Sequence, residues 1–230
     1  MRWIATIAIA LVSGFAGAAL WSFSGLGESQ TRNYLLAHPE VLPEAMQVLQ
    51  RREMMAAIEP LRQEIETPFP GAVMGNPEGS ITLVEFSDYA CGYCRQSVAD
   101  VAALIENNPD LRVVIREYPI LTAQSAEAAR MALAAAQQGV FEQFHLAMFD
   151  QGQVTPETIE AAANEAGVNL ELARAAIESG QFEGQLQNNV YLAQSIGFSG
   201  TPSWVIGERT FNGAVGRRAI EQAIAEARDS

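Results

Sequence analysis

The tightest constraint on this chain is where its two cysteines stand: Cys91 and Cys94, separated only by Gly92 and Tyr93, fall where a β-rich run hands over to a helical one. The run before them, Ile81 to Phe86 (ITLVEF), is short and mostly apolar, as a central strand covered on both faces must be. After them the pattern is helical from Cys91 to about Asn107, stops at Asn107-Asn108-Pro109, and resumes as a second strand, Leu111 to Arg116 (LRVVIR). Strand, helix and strand in so short a stretch make a βαβ unit, whose strands run parallel and whose crossover is right-handed. The cysteine pair therefore belongs at the carboxyl end of a strand and the amino end of a helix.

That position carries chemistry. A thiol attacks a disulfide as its thiolate, and the unpaired amides and positive dipole end of a helix N-terminus favour an anion there. Cys91 is expected to be the attacking sulfur, and Cys94, one turn on and further from solvent, to resolve the mixed disulfide. A zinc site would need two further ligands at matching spacing, and the only histidines are His38 and His145, isolated from each other and from the pair. A c-type haem site would need His after Cys94, where Arg95 stands. No other cysteine exists to staple the fold, and neither a cofactor nor a metal is expected. The alternative from another class is an envelope protein holding Cu(I) on the two soft thiolates, although no Met or His cluster flanks them.

The charged residues are 27 acids against 14 bases, all of the latter Arg, for a net charge of −13, which repels nucleic acid phosphates and points to protein partners. Trp3 to Trp21 is apolar and uncharged behind Arg2. As a helix it would reach roughly 28 Å against a hydrocarbon core of ~30 Å, so it fits an inner-membrane anchor; Ala16-Gly17-Ala18 also fits a signal peptidase site. Both readings place residues 28 to 230 outside the cytoplasm, in the periplasm. Three parts follow: residues 1–27 as signal or anchor with a Gly/Ser linker, 28–67 as a helical stalk, and 68–230 as the catalytic domain. In the stalk, residues 33 to 59 read as helix, with the regular part starting near Pro39 or Pro43, and Pro60 breaks it before Leu61 to Glu66. Its apolar stripe fits either packing on its own domain or oligomerisation. Residues from about 122 to 197 are wholly helical, with Thr155 and Asn169 as N-caps; strands return at Ser203 to Ile206 and around Thr210-Phe211, and a closing helix spans Arg217 to Arg228. A helical block is thus inserted into an α/β domain.

Three motifs carry a resemblance: Val84-Glu85-Phe86-Ser87-Asp88-Tyr89 leading into Cys91-Gly92-Tyr93-Cys94, then Arg116-Glu117-Tyr118-Pro119-Ile120, then Thr201-Pro202. Together they resemble the thioredoxin superfamily and, within it, the DsbA-like thiol-disulfide oxidoreductases with their helical insertion. The resemblance covers roughly residues 72 to 228. It implies a thioredoxin fold, a cis bond before Pro202 opposite the cysteines, and a client strand pairing with the Thr201 backbone. It also implies a buried acid at Glu85, raised by desolvation, that relays the Cys94 proton. From the residues alone Glu85 also fits a solvated strand end, and Asp88 either a turn residue or a catalytic part. Gly92, Tyr93 and Thr201 are the expected client contacts. Tyr93, Phe198 and Trp204 offer apolar surface, with Trp204 also fitting the core.

Where DsbA has Pro-His between its cysteines this chain has Gly-Tyr, which with Thr before the proline looks like the disulfide isomerase DsbC. Residues 33 to 66, through Tyr34-Leu35-Leu36 and His38-Pro39-Glu40-Val41-Leu42, resemble the N-terminal region of the suppressor-of-copper-sensitivity (ScsC) proteins, some of which oligomerise through it and isomerise disulfides. The implied protein is an isomerase or reductase acting on protein thiols and disulfides, a homo-oligomer through its N-terminal helix, kept reduced by a membrane reductase. A dithiol oxidase reoxidised by a quinone-linked membrane partner is the alternative.

Overall fold

Strand parity sorts the core. In the computed structural model, which describes residues 26–229 together with Trp3, Ile7, Ala10, Ser13, Gly14 and Phe15, β2 (Ile81–Ser87) and β3 (Leu111–Glu117) pair in parallel from Ile81↔Leu111 to Ser87↔Glu117. Leu83, Val113 and Ile115 join one apolar cluster, while Val84, Phe86 and Val114 join another. Side chains alternate along a strand, so the sheet is covered on both faces, which is why ITLVEF shows no polar face.

The βαβ unit forms as expected, with α4 (Gly92–Asn107) between the two strands. β4 (Ser203–Ile206) adds antiparallel to β2, and β5 (Arg209–Asn212) antiparallel to β4. The far edge is a strand the sequence did not announce: β1 (Val73–Gly75) pairs antiparallel with β3, giving the order β1-β3-β2-β4-β5. It consists of three residues between two Gly/Pro turns, too few to show a period. Between β3 and β4 the chain runs through α5 (Ala123–Gln137), α6 (Phe141–Asp150), α7 (Pro156–Glu165), α8 (Leu170–Glu178) and α9 (Glu183–Ser195). Thr155 and Asn169 cap α7 and α8 by accepting from the amides of Thr158 and Leu172. The closing helix α10 (Arg217–Arg228) packs on α4, β2 and β4.

Before the sheet lie α1 (Leu26–Ala37), α2 (Val41–Ile58), a 3₁₀ turn at Glu59–Leu61 and α3 (Arg62–Glu66). Helix is therefore already present at Leu26, within the expected linker and ahead of Pro39; the prolines fall at the break between α1 and α2 and in the first turn of α2, where no amide bond is forfeited. The chain divides into two units, Met1–Glu53 and Met54–Ser230. In the first, Tyr34, Leu36, Leu42, Met46 and Leu49 are exposed. The second takes in part of the segment expected as stalk, since Ile58 and Ile65 are fully buried with Val84, Phe86 and Phe198. The anchor-or-signal expectation for residues 3–21 falls almost wholly outside the described residues. Among the described residues no helix is long and apolar enough to cross a membrane.

Arg116 holds α3 to the sheet. Its Nε donates to Ile65 O at 3.1 Å, its Nη1 to Asn189 Oδ1 at 2.9 Å, and its Nη2 to Thr67 O at 2.5 Å and to Glu64 O. These carbonyls are the orphan acceptors of a helix C-terminus, here satisfied by one buried guanidinium. Burial lowers the Arg116 pKa to about 10, so it stays charged at neutral pH. Arg116→Met should cost about 2–3 kcal/mol by leaving those carbonyls unpaired, read as a lower urea midpoint at unchanged slope.

Candidate active site

The βα junction after β2 is tied down by its own polar groups. Asp88 Oδ1 accepts from Ala90 N at 2.8 Å, and its Oδ2 accepts from Ile120 N at 2.9 Å and Leu121 N at 3.0 Å. Asp88 thus makes the contacts of a turn residue, and it also fastens the segment after β3 to this loop. Cys91 N donates to Asp88 O at 2.9 Å, which sets Cys91 as the N-cap of α4 with an extended backbone (φ −83°, ψ 117°). Cys91 therefore sits against the unpaired amides of the first turn. Its Sγ donates to Thr201 O at 3.3 Å, across from the Thr201-Pro202 bond, which is cis. Thr201 Oγ1 is buried without a partner among the described residues.

Cys94 lies one turn inward and is buried, at 1% exposed against 6% for Cys91; neither is in a disulfide. Gly92 and Tyr93 between them face outward: a side chain on Gly92 would meet nothing within 4 Å, and Tyr93 is 63% exposed. Glu85 belongs by parity to the same face of the sheet as Leu83, the face α4 covers, and pairs across strands with Ile115 and Trp204. It is buried, not solvated, and desolvation raises its pKa to about 8. Burial also pushes the Cys94 thiol up, and the Glu85 charge pushes it further, so acid and thiol act on each other directly. Trp204 is core, as its second reading held. Phe198 is core too: it packs edge-on against Phe86, 5.5 Å between centroids, beneath the sheet, and offers a client no surface.

Three residues were given no place together by the sequence. Glu117, Tyr89 and His145 are buried together, the Tyr89 hydroxyl donating to Glu117 Oε1 at 3.0 Å and standing 3.1 Å from His145 Nδ1. Continuing the parity of Val113 and Ile115 would have put Glu117 on the Glu85 face; nothing local signalled that His145, on α6, comes beside the residue two before Cys91. Among the described residues no group of three or more His, Cys, Asp or Glu converges to hold a metal ion.

Sheet order, insertion, cis proline and paired thiols at the head of α4 define a thioredoxin-type fold with a dithiol site. Residues 82–225 match the DSBA-like thioredoxin domain, and the chain belongs to that family of thiol-disulfide oxidoreductases. Within it the chain is ScsC-like, for residues 29–56 match the copper resistance protein ScsC N-terminal domain. A thioredoxin-like oxidoreductase from Silicibacter pomeroyi is 40% identical, with 69% of this chain and 92% of that one covered at a TM-score of 0.66. The thiol-disulfide exchange protein alpha-DsbA2 from Wolbachia pipientis is 25% identical over 77% and 97% of the two chains, with a TM-score of 0.70. A periplasmic thioredoxin-like protein from Salmonella enterica serovar Typhimurium is 25% identical over 74% and 97%, with a TM-score of 0.64. The curated relatives it matches include the Na(+)/H(+) antiporter NhaA 3 of Salinispora tropica, 26% identical over 178 residues, and the chain spans only 26% of that protein's length.

Proposed function

We propose that this chain is an exported protein disulfide isomerase or reductase that exchanges disulfides with protein clients through Cys91 and Cys94. The observation that carries the reading is the asymmetry of the pair: one sulfur at the helix N-cap facing the Thr201 loop, the other buried against a raised Glu85. The Cys91 thiolate attacks a client sulfur, forming a mixed disulfide and expelling the client's other sulfur as thiolate. In a misbonded client that thiolate attacks a different client disulfide and displaces another client thiolate, which then attacks the client sulfur bonded to Cys91; the mixed disulfide breaks and Cys91 leaves as the thiolate it began as. Where no such exchange follows, Cys94 loses its proton to Glu85 and attacks the Cys91 sulfur, so the client departs reduced and the Cys91–Cys94 disulfide remains. A carboxyl titrating near 8 is suited to take that proton and give it back.

Thr201 and Pro202 form the rim on which an extended client strand is held, with Gly92 and Tyr93 opposite. The open space over Gly92 and the exposed Tyr93 ring support contact at this edge. The Gly-Tyr dipeptide and the ScsC-type segment at 29–56 favour isomerase over oxidase, and the exposed apolar residues of α1 and α2 favour self-association through the part of the 28–67 segment that precedes Met54, where the catalytic unit begins. The periplasmic Salmonella protein supports the same compartment, with residues 3–21 as signal or inner-membrane anchor and a membrane reductase as electron source.

Refolding of scrambled ribonuclease by the reduced chain, with its solution mass and the potential of the pair, tests this. Restored ribonuclease activity, an oligomer and a potential near −180 mV or lower are expected; a monomer near −120 mV that only oxidises thiols overturns the isomerase reading.

A further inference from the structure

Tyr89 precedes Cys91 by one residue's gap, and Arg95 follows Cys94 directly; both reach the same element of the helical insertion. The Tyr89 hydroxyl stands 3.1 Å from His145 Nδ1 on α6, and its ring lies 4.9 Å from that of Phe149 on the same helix. From the other flank Arg95 Nε donates to Phe149 O at 2.9 Å, and its Nη2 donates to Gly152 O just past the end of α6. Arg95 thereby satisfies carbonyls that the helix terminus leaves open. A phenylalanine would fill the Tyr89 site as well. A buried hydroxyl instead demands partners, and here it finds two, His145 and Glu117 Oε1 at 3.0 Å.

We propose that α6 braces the loop and helix end bearing the redox pair, and that Tyr89, His145 and Arg95 are positioning residues for closure of the Cys91–Cys94 disulfide. This rests on the reading of those two cysteines as the redox pair. Closure from the dithiol depends on how narrowly the two sulfurs are held, that is, on their effective concentration. The disulfide fixes the sulfurs by itself, so the brace acts mainly on the dithiol, and loosening it weakens closure. Burial lowers the His145 pKa to about 3, so a neutral imidazole makes the contact.

The test is equilibration of the full chain with reduced and oxidised glutathione, the closed fraction being counted by alkylation and mass. In that exchange the two thiols give two electrons and two protons to one oxidised glutathione, forming the S–S bond and releasing two reduced glutathiones. Tyr89→Phe and His145→Leu should each lower the closure constant about 10-fold. His145→Leu removes only one of the two bonds that Tyr89→Phe removes, so the double variant should fall no further than Tyr89→Phe alone. Arg95→Met should lower it by a similar factor independently, and His145→Gln, whose amide can meet the same hydroxyl, should stay within about twofold of the parent. If Tyr89→Phe does not fold, the contrast between His145→Leu and His145→Gln decides. Variants that melt earlier yet keep the parental constant overturn the proposal, since the contacts would then serve stability alone. A parent that never closes the disulfide removes the redox reading beneath the brace, and the brace with it.

Discussion

Replacing Cys94 by serine should turn the protein into a trap that captures clients and does not let them go. Cys91 keeps its place at the head of α4 and its contact with Thr201 O, so the first attack is intact. What disappears is the sulfur one turn inward that would attack the mixed disulfide from within the same helix. An intramolecular thiol competes with external thiols through its effective concentration, and losing it should slow release by on the order of 10³-fold. Protein-sized mixed disulfides should accumulate on Cys94→Ser, visible on non-reducing gels and collapsing with dithiothreitol, while Cys91→Ser accumulates none. Equal trapping by Cys91→Ser would mean the roles of the two sulfurs are reversed.

How far such roles could be read before any coordinates depends on whether the signal was local. The βαβ unit was legible because a strand buried on both faces, a helix stopped at Asn107-Asn108-Pro109 and a second strand each leave a local imprint; the structure places them at Ile81–Ser87, Gly92–Asn107 and Leu111–Glu117. Cap chemistry at Thr155 and Asn169 fixed two insertion helices in the same way. β1 was missed because it is held by its pairing with β3 rather than by any pattern of its own. Phe198 was misjudged because nothing in its neighbours says which face of the sheet it meets, and it belongs with Phe86 and Tyr118. His145 looked isolated because its partner is 56 residues away, joined only when the insertion folds back over the active-site loop. Glu85 was ambiguous for a different reason: a strand-end acid and a buried one look alike in sequence, and only the covering helix decides between them.

Glu85→Gln should make the reduced protein more stable at alkaline pH while damaging its exchange chemistry, and the sign follows from the direction of the shift. In the folded chain the carboxyl titrates near 8, raised by burial from an ordinary value of 4.5. The folded state holds this proton more tightly than the unfolded state, so stability from this group is full below pH 4.5 and is lost as pH rises towards 8. At 1.36 kcal/mol per pKa unit, the loss reaches about 5 kcal/mol and stays constant above pH 8. Glutamine keeps the shape and cannot ionise, so it should be nearly neutral at pH 4.5 and stabilising by a few kcal/mol at pH 8.5, as read from thermal unfolding at both values. The wild-type release step, in which Cys94 gives its proton to the Glu85 carboxylate, should accelerate through an inflection near pH 8 as that acceptor ionises. In Glu85→Gln the inflection should vanish and the alkaline rate fall about 10²-fold. With Glu85 replaced, burial and the Cys91 charge are what still push Cys94 up, so its thiol should ionise more readily than in the parent, an opposing change that alkylation of Cys94 in Cys91→Ser/Glu85→Gln, set against Cys91→Ser, would register. Equal stabilisation at both pH values would show that packing, and not an ionised carboxylate beneath the buried sulfur, sets the cost.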